Sequence, residues 1–134
     1  MKQYVLGFMF SPDLSAVVMV IKERPDWQKG LFNGIGGHIE GGECAKEAMV
    51  REFQEETGLL TVGAQWWNFI TMRYPLATIE CYCATDRFFA SVASKTDECI
   101  CIMSVANVGL IKTIDNVPHL VELALQYFKH GERC

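Results

Sequence analysis

The sequence predicts an α/β (α+β) fold in which a mixed β-sheet lies sandwiched between helices. Three observations carry this expectation. Apolar, β-branched runs bounded by turn residues recur along the chain. Residues 45–57 and 118–130 instead place apolar side chains at helical spacing. The order of these segments is strands, helix, strands, helix. A length of 134 residues, half of them hydrophobic and 21% charged, suits one domain with a substantial core, and residues 1–134 are read as that domain.

Residues 3–10 and 16–22 flank the turn-forming Ser11-Pro12-Asp13 and read as a hairpin. Residues 23–42 contain Pro25 and six glycines, so loop should dominate there, with room for a short strand near Ile35. A helix is expected from Ala45 to Thr57, stopped by Gly58 in a left-handed conformation. Cys44 at its N-cap is a poor cap, for which Glu43 compensates through the helix dipole. Residues 62–73 and 76–90 read as longer strands joined at Tyr74-Pro75, and 99–105 as a shorter one. A loop over 106–117 leads to a helix at 118–130, with Leu120, Val121, Ala124, Leu125 and Phe128 on one stripe and Gly131 as its stop.

A formal net charge of −4 speaks against nonspecific binding of long nucleic acid. An anionic small ligand stays open, because a bound cation can supply the positive charge. No apolar run approaches the roughly 18 residues of a membrane span. The opening MKQYVLGFMFSPD is broken too early, at Pro12 and Asp13, for a signal peptide. A soluble, cytoplasmic protein is expected. The six cysteines are Cys44, Cys81, Cys83, Cys99, Cys101 and Cys134. They read as reduced structural thiols. A zinc site from the C-x-C pairs 81/83 and 99/101 is the alternative, although the usual C-x-x-C spacing is missing.

The chemistry concentrates at Glu52, Glu55 and Glu56. At about 100° per residue, the three fall within about 100° of one another on a helix. Ala45, Ala48, Met49 and Phe53 share that side, while Lys46, Glu47, Val50, Gln54 and Thr57 point elsewhere. Carboxylates gathered on an apolar stripe must protonate, pair with bases or bind hard cations. One or more Mg²⁺ or Mn²⁺ ions are the expected cofactor. Such ions bridge a diphosphate, neutralise developing charge and lower the pKa of an attacking water. Arg51 can pair with and orient the carboxylates. Gly36 and Gly37 allow close backbone approach, and the Gly36 carbonyl is a candidate ligand. For Glu40, Glu43 and Glu47, a solvated role on an ordinary acidic helix suffices.

Residues 37–59 read G-x5-E-x7-R-E-U-x-E-E-x-G-U, with the fixed positions filled by Gly37, Glu43, Arg51, Glu52, Glu55, Glu56 and Gly58. Leu59 fits the second U position. Phe53, aromatic where a bulky aliphatic is usual, bears on packing more than on chemistry. This pattern is the Nudix box, and the chain resembles the Nudix hydrolases, the MutT-like nucleoside triphosphate pyrophosphohydrolases among them. The resemblance implies a Nudix-like α/β/α sandwich. It also implies metal ligation by the glutamate after the arginine and by the last glutamate pair. Glu55 and Glu56 then become the main ligands and Glu52 the general base, with Arg51 among the catalytic set. Glu43 becomes a structural partner of Arg51.

Outside the box the resemblance assigns further residues. The run Leu31-Phe32-Asn33-Gly34-Ile35-Gly36-Gly37 is similar to animal enzymes that hydrolyse oxidised purine nucleoside triphosphates. Their asparagine hydrogen-bonds the base; Asn33 either does this or simply forms a turn. Arg24 matches an arginine that contacts substrate phosphate in bacterial members, or is a surface side chain. His38 stands where many relatives carry lysine, next to Gly37 and within approach of phosphate. Trp27 either stacks on a base or packs, and packing is expected. Glu98 matches an extra glutamate brought to the metal from a loop, with Asp97 its nearest rival. Asp115 or Asn116 reads the base, although Asn116 is also a natural helix cap. His119 replaces the tryptophan frequent in relatives.

The function implied is metal-dependent cleavage of a nucleoside diphosphate linked to another group. A (d)NTP pyrophosphatase releasing NMP and pyrophosphate is the leading form, and 8-oxo-dGTP a candidate substrate. Nucleotide sugars and dinucleoside polyphosphates are the alternatives, with an RNA cap behind them. A nucleotide-sensing module that does not hydrolyse is the competing class. The partner is a small nucleotide, without long nucleic acid or membrane; monomer and homodimer are both open.

Overall fold

The computed structural model describes residues 1–130. Gly131, the expected helix stop, and Cys134 lie outside the described residues. Seven strands form one mixed sheet: β1 (Lys2–Phe10), β2 (Ala16–Ile21), β3 (Phe32–Asn33), β4 (Ile35–His38), β5 (Trp67–Tyr74), β6 (Ala77–Thr85) and β7 (Cys99–Ser104). Two helices, α1 (Ala45–Thr57) and α2 (Val117–His130), complete it.

Alternation along β1 sets the layers. Val5 and Met9 join one apolar cluster, together with Ala48, Met49 and Phe53 of α1 and the buried Trp66. Leu6, Phe8 and Phe10 join a second cluster, together with Leu120, Val121, Ala124 and Leu125 of α2. The helices therefore cover opposite faces, as the sandwich expectation requires.

β1 is the organising strand. It runs parallel to β6 from Lys2↔Ala77 to Phe10↔Thr85 and antiparallel to β4 from Tyr4↔His38 to Gly7↔Ile35. It meets β2 only at Phe10↔Val17. The expected hairpin is thus a turn whose strands part at once. Asp13 holds the turn by accepting the Ser11 and Ser15 hydroxyls, each at 2.7 Å.

Some boundaries depart from expectation, each for a local reason. Residues 62–73 are not one strand. The Gln65 side chain accepts the Val62 amide at 2.9 Å and closes a 3-10 turn, Gly63–Gln65. Trp66 then turns inward and donates its indole N–H to Thr61 Oγ1 at 2.8 Å. The strand over 76–90 stops at Thr85, where Asp86 accepts the Phe88 amide at 2.7 Å. Residues 23–42 hold two short strands rather than one. The loop over 106–117 contains a 3-10 turn, Val105–Leu110.

Helix α1 starts and stops as read, with Gly58 at φ 79°. Its start is better capped than Cys44 suggests: Glu47 Oε1 accepts the Cys44 amide at 2.8 Å. Thr57, expected to point away, is buried, and its hydroxyl donates to the Phe53 carbonyl at 2.6 Å. The apolar stripe is therefore Ala48, Met49, Phe53 and Thr57. Glu52 and Glu56 lie half-buried between Ala48 and Met49 on this side, and the exposed Glu55 borders it.

Among the described residues, the cysteines form no group of three or more that could hold a metal ion. Cys81 and Cys83 are buried in the α2-side core, where burial pushes both thiols up to about 12. Cys44 and Cys99 are exposed and Cys101 is half-buried, all as free thiols. Among the described residues, no helix is long and apolar enough to cross a membrane.

Candidate active site

Docking α1 by its apolar stripe turns the carboxylate flank toward β4 and the end of β2. Glu52 lies against Gly37 so closely that a Cβ there would meet its carboxyl carbon at 2.5 Å. Gly36 lacks a side chain for a different reason. A Cβ at that position would sit 2.0 Å from the Val5 carbonyl oxygen, inside the β1–β4 pairing.

Arg51 organises the flank. Its guanidinium donates to both Glu43 oxygens, at 2.7 and 3.1 Å, and to the His38 carbonyl at 2.9 Å. It also reaches Glu52 Oε1 at 2.9 Å and Glu55 Oε2 at 3.3 Å, with Glu40 at 3.6 Å. Glu43 is therefore tied down rather than solvated. The Arg51 hydrogen bonds are the largest cause that holds its carboxyl below the usual range.

The carboxylates differ in exposure and charge. The Glu55 side chain is 57% exposed, against 15% for Glu52. Burial pushes the Glu52 carboxyl up, and Arg51 opposes this without cancelling it. Burial, followed by the charge of Glu52, pushes Glu56 up to about 7; Glu98 and Glu55 add to the rise and Lys22 opposes it. Glu56 Oε2 is buried without a hydrogen-bond partner. An unpaired buried oxygen that feels the charges of other carboxylates is a position that a hard cation satisfies.

The four expected ligand side chains are not yet gathered. Among the described residues, no group of three or more His, Cys, Asp or Glu side chains is arranged to hold an ion. Cations of the chain itself engage three of them. Arg51 holds Glu52 and Glu55. Glu98, 5% exposed, accepts Lys22 Nζ at 3.1 Å and the Glu23 amide at 2.6 Å. Burial raises the Glu98 carboxyl, but the Glu23 amide and Lys22 outweigh it and leave it below the usual range. Asp97, the rival of Glu98, is an exposed partner of the Arg24 guanidinium. The donors still fit Mg²⁺ or Mn²⁺: all are carboxylate oxygens, and Glu56 carries one free.

Backbone pairing brings the segment just before Asp115 and Asn116 against β3. The Phe32 amide donates to the Lys112 carbonyl at 2.8 Å, and the Ile114 amide to the Phe32 carbonyl at 3.0 Å. This sets Asp115 and Asn116 beside β3 and Asn33. Asn33 Oδ1 accepts the Gly34 amide at 2.8 Å. Asn116 does not cap α2 with its side chain, whose Nδ2 instead lies 3.1 Å from Met72 Sδ; its carbonyl accepts the Leu120 amide at 2.9 Å. Asp115 is exposed.

Two expected phosphate contacts stand elsewhere. Arg24 is exposed and paired with Asp97. The exposed His38 ring rests on Tyr4, centroids 4.4 Å apart, rather than among the carboxylates. Trp27 does not pack: it is 68% exposed. Lys22 was not singled out in the sequence, although a lysine closing the apolar run of β2 was a visible signal.

Gly37 and Gly36 separate site geometry from folding. Gly37→Ala is expected to displace only the tip of the Glu52 side chain. Hydrolysis should then fall about 10²-fold, as for a misplacement near 1 Å, with the melting temperature nearly unchanged. Gly36→Ala strikes backbone and should cost more than about 4 kcal/mol. Thermal melts of both variants beside rate measurements check the distinction. A Gly37→Ala protein with full activity would refute the close packing of Glu52 as a functional constraint.

The NUDIX domain family model matches residues 2–114. An ADP-ribose pyrophosphatase from Methanocaldococcus jannaschii is 46% identical over 43 residues, covering 32% of this chain and 25% of that protein. The matched segment thus spans only a quarter of that relative. Among solved structures, one described for MutT from Aliivibrio salmonicida and Vibrio cholerae superposes with a TM-score of 0.79. It is 23% identical and covers 93% of this chain and 98% of its own. The NUDIX domain of Shewanella oneidensis NrtR, complexed with ADP ribose, superposes at 0.73 with 19% identity, over 94% of this chain and 87% of its own. At these identities the structures speak for the fold alone.

Proposed function

The chain belongs to the NUDIX domain family, and on that premise we propose that it hydrolyses a nucleoside triphosphate to the monophosphate and pyrophosphate, with an oxidised purine nucleotide such as 8-oxo-dGTP as a candidate substrate. The observation that carries the hydrolytic reading is Glu56, with its buried, unpaired oxygen among Glu52, Glu55 and Glu98. A divalent ion, Mg²⁺ or Mn²⁺, supplies Lewis-acid stabilisation of the diphosphate and a more acidic attacking water when bound.

The residues of the chain divide the remaining work. Glu55 and Glu56 would hold the ion, with Glu98 as a further ligand. The Gly36 carbonyl lies on the strand facing α1 and can add a further oxygen. Glu52 accepts the proton of the attacking water; its raised carboxyl pKa suits that role. Arg51 keeps Glu52 and Glu55 oriented. Asn33, with Asp115 or Asn116 beside it, reads the base edge. Arg24 and His38 reach phosphate only by leaving Asp97 and Tyr4.

One observation favours a second substrate class. The archaeal relative is an ADP-ribose pyrophosphatase, and ADP-ribose is a nucleoside diphosphate linked to a sugar. The sensing alternative is weakened by the presence of every box glutamate. A panel of dNTPs, 8-oxo-dGTP, ADP-ribose and nucleotide sugars, assayed with Mg²⁺ and resolved by chromatography, tests the reading. Monophosphate and pyrophosphate from a triphosphate are expected. Ribose phosphate and AMP as the fastest products would install the second class. Nucleotide binding without hydrolysis of any member would leave the sensing module.

A further inference from the structure

We propose that Lys22 is a positioning residue that holds Glu98 out of the metal-ligand set, so that a divalent ion must displace its ammonium to recruit this carboxylate. The inference deepens the proposed function and rests on the metal site assigned there.

The geometry is that of a clamp. Lys22 closes the strand β2 immediately after Ile21, at the edge nearest the start of β7. Its Nζ lies 3.1 Å from Glu98 Oε1, with the two side chains only 20% and 6% exposed. The other Glu98 oxygen accepts the Glu23 amide at 2.6 Å, and the Glu98 amide donates to Thr96 Oγ1 at 3.2 Å. Glu98 is therefore fully engaged from both sides.

Surface ion pairs contribute little, but a pair with both partners mostly buried is strong enough to compete with an incoming cation. A competing ammonium weakens binding in two ways. It engages a ligand, and it adds a positive charge beside an ion carrying two more. Arg51 contacts Glu52 and Glu55, and Arg24 pairs with Asp97, the residue before Glu98, so Lys22 is not the only cation nearby. It is the one in contact with Glu98.

Mn²⁺ titration of the purified protein, followed by electron paramagnetic resonance, reads the clamp without reference to activity. Lys22→Met is expected to bind Mn²⁺ about tenfold tighter or more than wild type. In a Glu98→Gln background the same substitution should give a clearly smaller gain, that of the removed charge alone. Lys22→Gln keeps a hydrogen-bond donor toward Glu98 and serves if Lys22→Met folds poorly. Equal or weaker Mn²⁺ binding by folded Lys22→Met, or by Lys22→Gln where Lys22→Met does not fold, overturns the proposal, since a purely structural lysine would change stability and not affinity. Glu56→Gln separates the two levels. If it lowers Mn²⁺ affinity while the Lys22 variants do not raise it, only the clamp fails. If neither wild type nor Glu56→Gln binds Mn²⁺, the metal site itself fails.

Discussion

Glu56→Gln is expected to lower Mg²⁺-supported hydrolysis by about 10²–10⁴-fold, the equivalent of roughly 3–5 kcal/mol of lost charge stabilisation. The same substitution should raise the melting temperature of the metal-free protein at neutral pH. The two effects share one cause. Glu56 is held at about 7 chiefly by burial, then by Glu52, so near neutral pH the empty site carries a charge the fold disfavours. A group with a raised folded pKa contributes its full stability below its ordinary value, here 4.5, and loses it as pH rises through the folded value. Metal-free wild type should therefore be less stable at pH 8 than at pH 5.5, by about 1–3 kcal/mol. Glu52, also raised, adds to the same slope. Glu43, Glu47 and Glu98 have lowered values and lose their contributions only below the ordinary range. Glu56→Gln should flatten the slope, and saturating Mg²⁺ should flatten it in wild type. Calorimetric melts across this pH range with EDTA or Mg²⁺ check it. Undiminished hydrolysis by Glu56→Gln would remove Glu56 from the metal site.

Why the acids of α1 were legible, and their partners were not, follows from sequence distance. Helical spacing over residues 45–57 places Glu52, Glu55 and Glu56 together without any tertiary information. Gly58 and the glycines before the helix are equally local signals. The reading erred where side-chain contacts decide. Thr57 belongs to the buried stripe because its hydroxyl returns to the Phe53 carbonyl, which removes the cost of burying it. Trp66 and Gln65 break an apolar run that looked like continuous strand. Pairings across long separations left no periodic trace. Lys22 and Glu98 stand 76 residues apart, and the alignment of residues 112–114 with β3 depends on a two-residue strand. The carboxylate flank was thus readable as a helix pattern. Its charge compensation, which decides whether the carboxylates are free to bind an ion, was visible only in three dimensions.

That compensation rests most heavily on Arg51, and Arg51→Ala is expected to destabilise the protein by about 3 kcal/mol, lowering the melting temperature by about 10 °C. The side chain is only 22% exposed and faces Glu43 and Glu52, themselves 16% and 15% exposed. Truncation leaves these carboxylates close together with no counter-charge, which costs more than the arginine pair contributes on its own. It also frees the His38 carbonyl from its 2.9 Å hydrogen bond. Arg51→Lys should recover only part of the loss. A lysine ammonium is a point charge and cannot donate to both Glu43 oxygens while reaching Glu52 and Glu55. The deficit should also depend on pH in a defined direction. In wild type, Glu43 is held below its usual range by Arg51, so its contribution is complete above 4.5 and lost as pH falls through its folded value. Arg51→Ala lacks that contribution at every pH, so the gap between the two proteins should be widest near pH 7 and shrink in acid. Divalent ions provide the decisive control. If Arg51 stands in for a cation among these carboxylates, Mn²⁺ should restore more melting temperature to Arg51→Ala than it adds to wild type. Urea unfolding of the three proteins, with and without Mn²⁺, measures each quantity. A loss below about 1 kcal/mol, within the range of an exposed ion pair, would mean that the carboxylate flank is organised by something other than Arg51.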